Sequence, residues 1–384
     1  MRFLVIGAGK QGSACALDLL LQPQVEKVLM VDRSFDHLPD YLKPHRDDPR
    51  LELRKLDLRD SAAVRDALAG VQSVLSAAPY YFNGELARLA VEAGVHFADL
   101  GGNTEIVIEQ LKLDAAARAK GVTVIPDCGL APGMVNVLAG EGIRRLDTTE
   151  SVKIYVGGLP QQPEPPLNYM VVYSLEGALD YYTTPSWVLR GGKRTRVDAL
   201  SELELVEFPA PIGQLEAFHT GGGISTMPFD YEGKIPVMEY KTLRYPGHVA
   251  IMRPIRELGL LDTKPVTVDG CEVVPRKVFI EVVSPKLTRK EGRDLVALRV
   301  DVVGTKGGTR AGWRWQLVDR YDEQRGVTAM MRTTGYSLSV TGLMQVDGRI
   351  ERKGAFAPNQ GVPAAPYVAE LARRGIVIEE TEIR

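Results

Sequence analysis

Cysteine is scarce: Cys15, Cys128 and Cys271 are the only three in 384 residues. An odd number, widely spaced, excludes a disulfide framework. No His/Cys/Asp/Glu spacing resembles a zinc or calcium site, so no metal is expected. Excess charge is also missing: the net charge of −2 gives no basic surface for a nucleic-acid partner. No apolar run approaches the roughly 18–20 residues needed to span a bilayer. The opening MRFLVIGAGKQG lacks the basic, apolar and cleavage regions of a secretory signal. Internal repeats and low-complexity tracts are absent. These absences leave a reduced, cytoplasmic, enzyme-sized protein with no membrane or nucleic-acid partner.

What is present is length and alternation. A chain of 384 residues suggests two or three domains, each with its own core. The first third runs strand, helix, strand with short connections: RFLVIGAG, SACALDLLLQ, KVLMVD, LELRKLDL, SAAVRDALAG, VQSVLSAAP, NGELARLAVEAG, HFADLGG, LDAAARAKG and VTVIPDCG. Continuous apolar strands in βαβ order imply a parallel sheet covered on both faces. After about residue 150, SVKIYVGGLP, KVFIEVVSP, DLVALRVDVVGTKGG and GWRWQLVDRYD read as longer alternating segments of a mainly antiparallel sheet. TTGYSLSVTGLMQ and APYVAELARRG then read as helices, and GIVIEE as a short strand. The expected fold is α/β: a Rossmann-type domain over 1–135, an inserted α+β domain for substrate and oligomerisation over 136–330, and C-terminal helices over 331–384 returning to the first domain. The extended second sheet offers edges for a homodimer or larger symmetric assembly.

Gly7, Gly9, Lys10, Gln11 and Gly12 fall in a G-x-G-x-x-G turn between a strand and a helix. The glycines permit a tight turn and close approach of backbone to a pyrophosphate, and the helix start supplies N–H groups. The motif alone also occurs in methyltransferases and in plain packing turns. Asp32, closing the next strand, is placed to accept both ribose hydroxyls and to repel a 2′-phosphate, which favours NAD. Arg33 beside it blurs that preference, since an arginine there can pair a phosphate or stack on adenine. Asp57, ending the third strand, is either an adenine-side contact or a solvated acid. Ligands of open parallel sheets lie beyond the carboxyl ends of strands, so Ala78, Pro79, Tyr80 and Asn83 are expected beneath the nicotinamide half. Gly101 and Cys128, in the turns after the fifth and sixth strands, are expected to border it. Cys128 has no histidine partner in its segment, and hydride transfer needs no thiolate, so it is not expected to act as a nucleophile.

The loop Pro79-Tyr80 with Phe82, the turn from Asp127 to Gly133, and Gly157-Gly158-Leu159-Pro160 resemble the saccharopine dehydrogenase-like reductases. That family has a Rossmann domain followed by an α+β domain. Within it the chain is most similar to the lysine 6-dehydrogenases, through ADLGGNTE (98–105), PDCGLAPGMVNVLAG (126–140), YVGGLPQQPEPPLNYMVVYSLEGALDYYT (155–183), LEAFHTGGG (215–223), EYKTLRYPGH (239–248) and MRTTGY (331–336). The resemblance implies NAD-dependent oxidative deamination of the ε-amine of L-lysine. The alternatives are an NADPH-dependent reductase of the saccharopine or carboxynorspermidine type, and a non-catalytic NAD-binding sensor.

Such a reaction needs a proton acceptor for the ammonium, a carboxylate near the developing iminium, and a cation for the α-carboxylate. Asp99 and Asp127, ending the fifth and sixth strands, are candidates for the first two tasks, or else caps of the turns they begin. His219, in AFHTGGG, is the histidine candidate for proton transfer, with Thr220 beside it. Arg244 is the choice for the α-carboxylate, with Lys241 and Tyr245 as neighbours. Glu176 is placed for the α-ammonium, or is a charge at a helix start. Thr333, Thr334 and Tyr336 are expected near the domain junction, or in caps and core.

Overall fold

The computed structural model describes residues 1–289 and 292–383. Its first sheet is built from β1 (Arg2–Ile6), β2 (Lys27–Asp32), β3 (Leu51–Lys55), β4 (Ser73–Ser76), β5 (His96–Asp99) and β6 (Thr123–Ile125). The second sheet takes β7 (Thr148–Pro160), β8 (Ser186–Arg190), β9 (Lys193–Val197), β10 (Glu204–Phe208), β11 (Gly213–His219) and β12 (Val237–Arg244). A separate hairpin pairs β13 (Val266–Val268) with β14 (Cys271–Val273). The long hairpin β15 (Asp294–Lys306) and β16 (Thr309–Arg320) rejoins the second sheet. Two short strands follow, β17 (Gly354–Ala355) and β18 (Glu379–Ile383).

The first sheet is parallel, in the order β17-β6-β5-β4-β1-β2-β3. Alternation along β1 sorts its side chains between two layers. Leu4 and Ile6 enter one core with Val74, Phe97 and the helix Asn83–Ala93, while Phe3 and Val5 enter the other with the helices Lys10–Leu20 and Ala329–Val346. The second core does not stop there. It continues through the helix Met134–Arg144 onto Val152, Ile154 and Val156 of β7 and Val296, Leu298 and Val300 of β15. One hydrophobic layer therefore joins the two sheets.

The second sheet runs β10-β11-β12-β7-β15-β16-β18, with β8 and β9 branching from β12. It is antiparallel except for β12, which lies parallel to β7. KVFIEVVSP, expected as a strand, lies instead in the helix Pro275–Leu287. Its valines do not alternate with polar residues over a strand's length, and proline at the start fits a first helical turn. The returning helix Ala329–Val346 is buried all round, packed on Lys10–Leu20. A Cβ at Gly335 would stand 2.8 Å from that of Ala14, so only glycine permits this approach. The short β17 extends the first sheet beside β6, but β18 pairs with β16 of the second sheet rather than with the first. Among the described residues no helix is long and apolar enough to cross a membrane.

Candidate active site

β1 delivers the chain into the glycine turn. Gly7 has φ +99°, and a Cβ on Gly12 would stand 1.9 Å from the Gly7 carbonyl oxygen. Gly9, by contrast, has open space where a Cβ would be, so the backbone there is bare for a pyrophosphate. Asp32 ties the end of β2 to this turn: one carboxylate oxygen accepts from Ala8 N–H at 2.7 Å, the other from Ser34 N–H at 3.2 Å. Lys10 and Arg33 are exposed. Asp57 is gripped by Arg59, which holds its carboxyl well below the usual range. Pro79 and Tyr80 lie exposed beyond β4, and a Cβ on Gly102 would touch the Tyr80 ring. Asn83 is buried and accepts a bond from the Ser76 hydroxyl, a task inside the fold. The turn, the bare Gly9 and the acid closing β2 fit a dinucleotide.

A cavity of about 200 Å³ lies where the two sheets meet. The first domain contributes Gln11, Leu100 and Gly129 to Pro132, and the returning helix adds Met330 and Thr334. The second sheet contributes alternate residues of β12, namely Tyr240, Thr242 and Arg244, with Val156 and Gly158 of β7. Tyr173, Tyr181, Gly221 and Gly223 close the wall. A Cβ on Gly223 would stand 2.3 Å from the Tyr240 ring, so the glycine run of AFHTGGG exists to let aromatic rings in. Arg244 is the single charged residue among those lining the cavity, and it makes no ion pair with an acid among the described residues. Gln11 has its side-chain oxygen buried without a partner, beside the cofactor turn.

The two strand-end acids differ. Asp99 is fully buried and accepts from Gly101 N–H and from Gln110 Nε2, both at 2.6 Å, and from Asp127 N–H at 3.3 Å. Burial pushes it up to about 6 against those bonds. Of the two roles expected of it, site carboxylate or cap, its bonds show the cap: it holds the turn in which Gly101 has φ +73°. Asp127 is as deeply buried, sits at φ +62°, and has neither carboxylate oxygen in a hydrogen bond. Burial, opposed by the nearby Ser225 hydroxyl and aided by the Asp99 charge, raises it to about 7. A buried carboxylate outside hydrogen-bond geometry, on an uncommon backbone conformation, makes Asp127 a candidate functional group. Its charge reaches Tyr181 of the cavity wall, whose phenol is pushed up to about 12, chiefly by burial.

Cys128 is buried, donates to the Ile125 carbonyl at 3.2 Å and does not line the cavity; burial drives its thiol upward, away from the reactive thiolate.

Several second-domain candidates are elsewhere. His219 pairs in register with Lys241, and both point to the face opposite Tyr240, Thr242 and Arg244. His219 is fully buried, bonded to the Tyr240 carbonyl at 3.1 Å and to Glu202 at 3.1 Å, and burial holds it below its ordinary value. Lys241 donates to Glu204 at 2.8 Å and to the Glu202 carbonyl at 2.7 Å. Glu202, His219 and Glu239 bring three potential metal ligands within 4.8 Å, a convergence that spacing along the chain did not reveal. Arg190 already neutralises both carboxylates, at 2.7 Å each. Tyr245 turns away and donates to the Pro160 carbonyl. Glu176 is exposed in the first turn of the helix Leu175–Thr183. Thr220 is buried and bonded to Thr242, one step behind the wall. Thr333 is buried and bonds back to the Ala329 carbonyl, and Tyr336 is buried against Arg332. Sequence reasoning missed Tyr181, Tyr240 and Thr242; the two-residue alternation of VMEYKTLR groups the last two with Arg244.

Comparison with known proteins gives two adjoining matches. Residues 3–125 match the saccharopine dehydrogenase NADP binding domain, and residues 129–376 the saccharopine dehydrogenase C-terminal domain. The chain is 22% identical to saccharopine dehydrogenase [NADP(+), L-glutamate-forming] of Schizosaccharomyces pombe, over 86% of this chain and 89% of that one. It is 23% identical to the mitochondrial alpha-aminoadipic semialdehyde synthase of Mus musculus, over 83% of this chain but only 41% of that protein. Among solved structures, the apo saccharopine dehydrogenase (L-Glu forming) of Saccharomyces cerevisiae superposes with a TM-score of 0.81 at 20% identity, covering 100% of both chains. A homospermidine synthase of Legionella pneumophila in complex with NAD gives 0.69 at 11% identity, over 100% of this chain and 91% of that one. At these identities the superpositions establish the fold, a Rossmann-type parallel sheet joined to a second mixed sheet.

Proposed function

The chain belongs to the saccharopine dehydrogenase family, and on that premise we propose that it is an NAD-dependent dehydrogenase of the ε-amine of L-lysine. Lysine, NAD⁺ and water would give the 6-semialdehyde, ammonium, NADH and a proton, the aldehyde closing on the α-amine to a cyclic imine. The observation that carries this choice is the single cation of the cavity, Arg244. One guanidinium matches one α-carboxylate. A substrate condensed from two amino acids brings further carboxylates, for which the cavity wall offers no second cation.

Gly7, Gly9, Gly12 and Asp32 would hold the dinucleotide, which supplies the hydride acceptor when bound. Arg244 binds the α-carboxylate and sets the reach of the aliphatic chain toward the ends of β5 and β6. Asp127 is the proton acceptor in this reading: it titrates near neutrality and has no donor of its own. Tyr181 lines the cavity and lies near enough to Asp127 to feel its charge, although Asp127 itself stands behind the lining residues. Tyr173, Tyr181 and Tyr240 wall off water along the methylene chain. A homo-oligomer belongs to the same proposal, supported by the exposed apolar residues Leu258, Leu260, Val266, Val268, Val278 and Val282 around the β13–β14 hairpin. A cytoplasmic location is proposed on the unpaired cysteines.

A second reading has its own support. The NADP named in the fission-yeast relative, together with exposed Arg33, favours an NADPH-dependent reductase of the saccharopine or carboxynorspermidine type. Absorbance at the NADH band with purified protein, L-lysine and NAD separates the two. Turnover with saccharopine and none with lysine would replace the first reading by the second.

A further inference from the structure

Arg244 does not hold its position alone. Its Nε donates to the Tyr182 hydroxyl at 3.1 Å, its Nη1 donates to the Leu243 carbonyl at 2.8 Å, and its guanidinium lies 4.7 Å from the centre of the Tyr169 ring. Its Nη2 makes no hydrogen bond to any described residue. The Tyr182 hydroxyl in turn lies 2.9 Å from His248 Nε2, and His248 Nδ1 lies 3.2 Å from the Leu167 carbonyl. Tyr182, Arg244 and His248 are all buried.

This chain admits one arrangement of protons. A carbonyl oxygen only accepts, so His248 Nδ1 carries the hydrogen. The ring is neutral, because burial and the Arg244 charge hold it far below its ordinary value, at about 3. Nε2 is therefore an acceptor, and the Tyr182 O–H must donate to it. That turns the lone pairs of the Tyr182 oxygen toward Arg244 Nε. A histidine that donated through Nε2 would reverse the phenol and aim its proton at the guanidinium. Edge-on contact with Tyr169 and Tyr182 and stacking on Phe218 keep the imidazole from rotating.

We infer that His248 and Tyr182, neither of which lines the cavity, are positioning residues that set the site's preference for a carboxylate-bearing substrate by fixing the Arg244 guanidinium before substrate arrives. The inference rests on the role given to Arg244 above. A pre-set fork loses less freedom when it binds, so disturbing the relay weakens carboxylate recognition and leaves the chemistry at the far end intact.

The test compares ligands with and without the carboxylate. 6-Aminohexanoate and 1-aminohexane serve as competitive inhibitors against L-lysine, for the wild type and for His248→Phe, His248→Gln and Tyr182→Phe. His248→Phe and Tyr182→Phe should each raise the lysine KM and the 6-aminohexanoate inhibition constant by about tenfold, the scale of one hydrogen bond to a charged group. The 1-aminohexane constant and kcat should stay within about twofold, since neither reads the guanidinium. His248→Gln, which keeps an acceptor and a donor, should restore most of the loss. Equal weakening of both inhibitors would mean general damage to the pocket and overturn the inference, as would unchanged constants in Tyr182→Phe. Arg244→Ala separates the two claims. If it leaves the inhibitor ratio unchanged, the carboxylate role of Arg244 fails and the relay with it. If it shifts the ratio while His248→Phe and Tyr182→Phe do not, only the relay fails. Should His248→Phe not fold, Tyr182→Phe, which deletes one oxygen, decides alone.

Discussion

Asp127→Asn removes the charge of a buried carboxylate and keeps its shape. At about 1.4 kcal/mol per pH unit, a carboxyl moved from its ordinary 3.8 to about 7 costs the native fold roughly 4 kcal/mol once ionised. The direction follows from proton counting. Between about pH 4 and about pH 7 the native acid keeps its proton while the unfolded chain has lost it. Raising the pH through this window therefore destabilises the fold, and the loss levels off above it. The part that falls between pH 5 and pH 8.5 is roughly 3 kcal/mol. An asparagine does not titrate. Its own cost, a buried amide with unmet bonds, is the same at both pH values and cancels in the comparison. Urea unfolding of the cofactor-free protein, followed by tryptophan fluorescence and by far-ultraviolet circular dichroism, gives the two stabilities. Wild type should lose roughly 3 kcal/mol more than the variant between the two pH values. Parallel pH dependence in the two proteins would refute the raised carboxyl. In turnover, the same variant should lower kcat/KM for lysine by about 10²–10⁴-fold and abolish the rising limb of its pH profile; a retained limb would remove Asp127 from the proton-acceptor role.

Further outcomes follow from the other placements. Arg244→Ala should raise the lysine KM by about 10- to 100-fold, the value of a charge-assisted pair, in steady-state kinetics. Asp32→Ala should weaken NAD more than NADP in equilibrium titration, and an equal loss would mean that Asp32 serves only the turn. Gly223→Ala drives a methyl group into the Tyr240 ring and should cost about 1–3 kcal/mol in denaturant unfolding. His219→Gln should leave the pH profile of kcat unchanged, because the imidazole faces away from the cavity; a lost limb would reinstate it as a base.

The parallel sheet was readable because its inner strands, RFLVI and KVLMVD among them, are apolar runs ending in a turn, a pattern fixed by burial on both faces. The edge strand LELRK alternates instead, and the two-residue β17 carries no such signal. The cofactor turn was readable for a related reason: glycine spacing is set by local backbone geometry. Arg244 was singled out by chemistry, since a substrate carboxylate calls for a cation, and the structure places it in the cavity wall. His219 was misplaced because a glycine-rich neighbourhood looks like a mobile catalytic loop, whereas register with Lys241 fixes its face, and register is a property of two strands. The Arg244–Tyr182–His248 chain spans residues brought together only by the β12 strand, the helix Leu175–Thr183 and the helix His248–Glu257. Arg244 and His248 stand four residues apart, but nothing local in the sequence brings Tyr182 between them. Asp127 stood out in sequence as a strand-end acid, but its lack of any donor is a three-dimensional fact.

The helix Ala329–Val346 bears on how this architecture can be re-engineered or inherited. It rests on the helix of the glycine turn, with Gly335 against Ala14, while β17 extends the first sheet beside β6. The cofactor-binding half is thus written in two separated stretches of the chain. Exchanging the first 125 residues for those of an NADP-dependent relative would set a foreign turn helix against a resident glycine seat shaped for another partner. A change of coenzyme preference made by grafting needs both stretches moved together, and substitutions confined to the end of β2 are the smaller route.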